Sequence, residues 1–280
     1  MRCIIPEAPE VRTIVNGLQK IIEGRDLVRV QILGGRFTKT PPKGWTDFKN
    51  ALGIGPLKVE KVGCKGKFIY WEFEEGWSMW CSLAMTGRWT RTREKHAAIR
   101  FLHVKNGPTS TPSPAQRALY FDDMRHQGSI RFVEGKELLE KRLSQLGVDM
   151  LQEDPGPELF KALIQKKPDQ QITKVLMNQK LIAGVGNYIK ADALYLSKIS
   201  PHRTAGSLTD SELVALRESI RSVMLVSYEM GGHAIRDYAA DGLGYESPCY
   251  GRKADEHGNA IVKEKTDDGR TTHWCPSIQV

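Results

Sequence analysis

Pro6-Glu7-Ala8-Pro9-Glu10 sets two carboxylates, three residues apart, beside a proline nitrogen. Side chains at i and i+3 lie on one face of a helix, so Glu7 and Glu10 can share a pocket and move protons. Acidic residues also suit the first turn of any helix, where they meet the positive end of its dipole. The Pro6 nitrogen has two possible states. As a terminal amine, with a pKa of about 8, it would be partly neutral at pH 7 and nucleophilic. As written it follows Met1-Arg2-Cys3-Ile4-Ile5, and an amide nitrogen has its lone pair in resonance and does not attack.

Three further clusters carry chemical potential. Gly184-Val185-Gly186-Asn187-Tyr188 follows a helical run over 172–178 and opens a second helix through 194. Closely spaced glycines let backbone N–H groups approach an anion, and a helix N-terminus favours negative charge there. The same pattern also serves as a plain turn between two helices. Lys65-Gly66-Lys67-Phe68 reads as a basic hairpin turn, whose plain role is a solvated surface. Cys249, His257, His273 and Cys275 are the candidate metal ligands, but no Cys-x-x-Cys exists and the spacings are irregular, so no metal site and no cofactor is predicted.

The elements that must position these groups are readable from periodicity. Val11, Ile14, Val15, Leu18 and Ile21 predict a helix over 9–22. Strand-like runs follow at 27–32, 57–64, 67–73, 77–83, 97–104, 118–121 and 129–133, with a solvated loop at 106–113. Short strands with Gly, Pro and charged turns predict an antiparallel sandwich or barrel. The pattern then changes. Residues 136–146 read as helical, 147–157 as a hinge broken by Asp154-Pro155-Gly156-Pro157, and 158–231 as helical, with Thr209 and Glu212 forming a capping box. A loop and hairpin end the chain. The division expected is a sandwich domain over 1–135, a linker over 136–157, a helical domain over 158–245 and a terminal hairpin over 246–280.

The chain has 280 residues, a net charge of +8 and a pI near 9.2, which suits a polyanionic partner. Its 5 cysteines form no disulfide framework, which suggests a reducing intracellular compartment: nucleoid, cytoplasm or nucleus. No signal peptide or membrane-spanning stretch is expected.

Taken in chain order, these motifs resemble the formamidopyrimidine/endonuclease VIII (Fpg/Nei) family of DNA glycosylases over residues 6–276. The resemblance implies an α+β, two-domain fold: an N-terminal antiparallel β-sandwich with a helix, then a helix–two-turns–helix domain ending in a β-hairpin. It implies base-excision repair of oxidised bases in damaged double-stranded DNA, with single-stranded or branched DNA as further partners, by a monomer without cofactors. Pro6 would be the Schiff-base nucleophile once residues 1–5 are removed, supporting β- and δ-elimination at the abasic site. Glu7 and Glu10 would manage protons, and Lys67 would support the reacting sugar. Lys65, Lys180, Asn187, Arg270 and the glycine amides would meet phosphate. Met85 and Arg125 would fill the void left by a flipped nucleotide, with Gln127 where the family usually has an aromatic wedge. Asp192 stands where the family usually has Glu. Residues 255–259 and 270–272 resemble the zincless finger of the viral and vertebrate Nei-like branch, and residues 231–247 would line the base pocket. The alternative, if Pro6 stays acylated, is a catalytically silent or monofunctional DNA-binding member of the same fold.

Overall fold

The computed structural model describes residues 6–104, 118–231 and 244–280. The expected loop at 106–113, residues 1–5, whose removal the resemblance implies, and most of the 231–247 segment lie outside the described residues. The chain divides into two compact units: Val11–Ser144 together with Pro6, and Gln145–Val280 together with Glu7–Glu10. Among the described residues no helix is long and apolar enough to cross a membrane.

The first unit holds α1 (Ala8–Ile22) from Val11 onward, and its Val11, Ile14, Val15 and Leu18 are buried as the helical period requires. Ile22, not Ile21, completes the stripe. Gly24 in the left-handed region turns the chain into β1 (Asp26–Ile32). The strands join in the order β5-β7-β6-β1-β2-β3-β4-β8. Here β2 is Leu57–Lys65, β3 Phe68–Phe73, β4 Trp77–Ser82, β5 Gly87–Thr90, β6 Ala97–Val104, β7 Ala118–Asp123 and β8 Ser129–Glu134. The link between β1 and β2 is only Asp26↔Lys58 and Leu27↔Leu57, so the sheet behaves as two four-stranded halves. Their inner faces share an aromatic core: Trp71 of one half meets Trp89 and Phe101 of the other at centroid distances of 5.1 and 5.4 Å. Helix α2 (Trp45–Ile54) closes one end through Phe48, which stacks on Phe132 at 4.2 Å. Helix α3 (Lys136–Ser144) belongs to this unit, not to a linker.

The second unit is helical. It contains α4 (Gly156–Ile164), α5 (Ile172–Leu176), α6 (Asn187–Leu196) and α7 (Asp210–Glu229). Buried apolar side chains from all four form one cluster, and Ala8 joins it. The Thr209–Glu212 capping box opens α7 as the sequence predicts. A two-residue parallel bridge pairs β9 (Val148–Asp149) with β10 (Ile182–Ala183). The chain ends in an antiparallel hairpin of β11 (Val262–Lys265) and β12 (Thr271–Trp274).

Candidate active site

Glu7 and Glu10 are buried, with 2% and 0% exposure. The Glu7 carboxylate sits at the N-terminus of α6: Tyr188 N–H donates to Oε1 at 3.0 Å and Ile189 N–H to Oε2 at 3.3 Å. Two converging amides at the positive end of a helix select a carboxylate. Glu10 reaches back to accept the backbone N–H of Glu7 at 2.9 Å, which caps α1 and orients its neighbour. The Tyr188 hydroxyl donates to Glu10 at 3.1 Å and lies 3.1 Å from Ser227 Oγ. Burial, with the charges of Glu10 and Glu7 adding to it, pushes the Tyr188 phenol well up, so it stays a donor.

The glycine turn explains the close approach. A Cβ on Gly186 would lie 2.2 Å from the Glu7 carboxyl carbon, so any side chain there displaces the carboxylate from its two amides. Gly184 has φ +95°, and its carbonyl accepts the Ala8 N–H at 3.2 Å. Its own N–H donates to Gln179 Oε1 at 2.9 Å, while Gln179 Nε2 donates to the Val185 carbonyl at 2.9 Å. The expectation that the glycine amides receive phosphate is therefore corrected at Gly184: that amide is used to shape the turn. The Tyr188 and Ile189 amides of α6 are likewise taken by Glu7.

Asn187 points to the terminal hairpin, where its Nδ2 donates to the Thr271 carbonyl at 2.8 Å. The amide has two hydrogens, and one remains for a further acceptor. Lys180 is exposed in the turn before the glycines, and Arg270 is exposed at the β11–β12 turn. Both stand in the second unit with Glu7, Glu10 and Asn187.

In the first unit, Lys65 and Lys67 flank Gly66, whose φ of +56° makes the tight β2–β3 turn. Met85 and Arg125 come together from separate loops, with Arg125 Nη1 3.4 Å from the Met85 sulfur. Their bases are tied by Thr86, which accepts the Arg125 N–H at 3.0 Å and donates to Asp123 at 2.5 Å. Ala84 and His126 take φ of +49° and +55°, outside the usual range of side-chain-bearing residues. Gln127 is exposed beside Arg125.

The candidate zinc ligands are dispersed in role. Cys249 and Cys275 are buried with Ile261 in an apolar cluster that Tyr195 and Ile278 cover. Burial, with the charge of Asp192 adding to it, pushes the Cys249 thiol up. His257 is exposed near Glu256, whereas the His273 ring packs on Tyr250. The 255–259 turn is gathered by Asp255, whose carboxylate accepts the N–H groups of His257 and Asn259 at 3.0 and 2.8 Å.

Comparison with known proteins decides the family. The model of the formamidopyrimidine-DNA glycosylase N-terminal domain matches residues 5–130, and that of the corresponding H2TH domain matches residues 146–239. A formamidopyrimidine-DNA glycosylase of Rhizorhabdus wittichii is 30% identical over 285 residues, covering 98% of this chain and all of the relative. The chain belongs to the formamidopyrimidine-DNA glycosylase family. A Brevibacillus brevis member is 31% identical over 98% of this chain and 99% of its own length. A Lactococcus lactis family structure bound to DNA containing Fapy-dG superposes with TM-score 0.82 at 27% identity, covering 98% of this chain and 99% of that one. Another, from the same organism and non-covalently bound to DNA containing an AP site, gives 0.81 at 26%, with the same coverage. Family membership makes this chain a DNA glycosylase, an enzyme of base-excision repair.

Ser227 carries no motif of its own; Gln179 and Tyr188 lie in the glycine-turn segment, but their contacts to the turn and to Glu10 do not follow from the sequence. Asp192 is fully buried on α6 and accepts four hydrogen bonds from Tyr245, Ser247, Cys249 N–H and Tyr250 N–H. Burial pushes its carboxyl up to about 6 against those four donors. It thus anchors the segment that leads into the terminal hairpin.

Proposed function

We propose that the protein is a bifunctional DNA glycosylase and AP lyase that removes oxidised bases from duplex DNA and cuts the strand on both sides of the lesion. The observation that carries this reading is the buried Glu7 carboxylate, held by two α6 amides while Glu10 holds Glu7's own N–H. A merely structural first turn does not need a carboxylate at the helix N-terminus, a glycine cleared for it and a second carboxylate behind it.

In this reading Pro6 acts once residues 1–5 are removed. Its neutral amine attacks C1′ of the damaged nucleotide, forming an N–C bond as the bond to the base breaks. The Glu7 carboxylate takes the proton shed by the amine and delivers it to the leaving base. The nitrogen lone pair then forms the C=N bond as the C1′–O4′ bond breaks and O4′ takes a proton from water, and the resulting iminium permits β- and then δ-elimination. Lys67 supports the charge that develops on the sugar. Lys65, Lys180, Asn187 and Arg270 bind phosphates. Met85 and Arg125, with Gln127 alongside, occupy the space of the extruded nucleotide and offset lost stacking. The hairpin belongs to the zincless type. The L. lactis structures with Fapy-dG and AP-site DNA support damaged duplex DNA as the partner.

An end-labelled duplex with one formamidopyrimidine or oxidised pyrimidine tests the reading. The form beginning at Pro6 is expected to leave a one-nucleoside gap with phosphate at both ends. E7Q is expected to lower base excision by about 100-fold or more, and to lower nicking of a preformed abasic site much less. Base release without a nick would indicate a monofunctional hydrolase, and binding without excision a silent member of the fold.

A further inference from the structure

The terminal hairpin is fastened to α6 by a chain of polar contacts that no motif announces. Two α6 side chains one turn apart reach it. Asn187 meets the Thr271 carbonyl, as described above. Lys190 Nζ donates to Asp268 Oδ2 at 2.6 Å and to Thr272 Oγ1 at 2.8 Å. The Lys190 and Asp268 side chains are 0% and 2% exposed. From Asp268 the network runs on to the turn that carries Arg270: Oδ1 accepts the Thr266 hydroxyl at 2.6 Å and the Arg270 backbone N–H at 3.3 Å. The Thr266 and Thr272 hydroxyls lie 2.7 Å apart, which closes the ring.

A lysine with no exposed surface is rare, and replacing a buried ion pair by apolar groups is often neutral or stabilising. Such a pair is best explained by the geometry it imposes. Here it fixes one conformation of the 266–272 turn against the helix whose first residue is Asn187. Burial pushes the Lys190 ammonium down, Asp268 and then Glu7 push it up, and Arg270 pushes it down again. Its charge therefore feels both the carboxylate pocket and the hairpin arginine.

We propose that Lys190 is a positioning residue for DNA binding, which through Asp268 locks the β11–β12 turn so that Arg270 and Asn187 address one stretch of phosphate backbone. The inference rests on the reading of Arg270 as a phosphate contact. A lysine that only stabilised the fold would change melting and leave the number of phosphates engaged unchanged.

The test is the salt dependence of binding to a duplex with an abasic-site analogue. Wild type, R270A, K190M/D268N and the triple variant are compared across a potassium chloride series. The paired substitution removes both charges at nearly constant volume. R270A is expected to lower the slope of log K against log salt by about 0.9. K190M/D268N is expected to lower it equally although Arg270 is present, and the triple variant no further. K190R, which keeps the charge, is expected to retain most of the wild-type slope. If K190M/D268N fails to fold by circular dichroism, T272V, which removes the Thr272 hydroxyl from both Lys190 and Thr266, takes its place, and an unchanged slope in T272V overturns the proposal. A wild-type slope in K190M/D268N, or additive losses in the triple variant, also overturns it. A wild-type slope in R270A instead refutes Arg270 as a phosphate contact, and this inference falls with that reading.

Discussion

The carboxylate pocket around Glu7 and the paired loops carrying Met85 and Arg125 are built on opposite principles. The pocket is sealed. Glu7, Glu10, Tyr188 and Ser227 are all buried, and backbone amides and hydroxyls from α6 and α7, with the Glu7 N–H, satisfy the carboxylates. The loops are tied at their bases by Thr86 and Asp123, while Arg125 and Gln127 stand in solvent. A group that must hold a proton at one place needs its surroundings fixed. In the proposed function the Arg125 side chain enters the duplex, which requires it to leave its 3.4 Å contact with the Met85 sulfur, a weak acceptor.

Stability measurements can break this contrast. G186A strikes the pocket hardest. Its φ of −128° suits any residue, so the cost is the clash with the Glu7 carboxyl alone. A loss of about 3 kcal/mol in a denaturant titration is expected, together with near-complete loss of excision. Y188F comes next. It removes one donor from Glu10 and leaves Ser227 facing it, for about 1–3 kcal/mol. M85A and R125A come last. Each is expected to change stability by less than about 0.5 kcal/mol while slowing excision from duplex DNA. A large destabilisation in M85A, or none in G186A, would erase the distinction between the two regions.

Elements whose pattern is local were legible in the sequence. The α1 stripe, the seven strand runs and the α7 capping box all follow period or cap chemistry, and the structure has them. Helix α2 was not legible. It begins after Gly44, a left-handed residue with no side-chain cap, and that glycine is required because a Cβ would sit 2.1 Å from the Phe132 carbonyl oxygen. The four-residue β5 is too short to show alternation. At the site, the residues that carry motifs could be named, but their partners could not. Glu7 meets Tyr188 across 181 positions, and Lys190 meets Asp268 across 78. Period and propensity are blind to such distances, so the Gly184 turn looked like a phosphate cradle when much of it serves Glu7.

The central claim is that the amine of Pro6, and no side-chain amine, forms the covalent bond to DNA. Borohydride trapping on a duplex with an abasic site tests it directly. The protein beginning at Pro6 is expected to form a stable crosslink, and P6G in that form to retain some, because a primary amine remains. The protein beginning at Met1 is expected to form none, since acylation removes the lone pair. Equal trapping by the two forms would contradict the account and would make Lys67 the first candidate nucleophile.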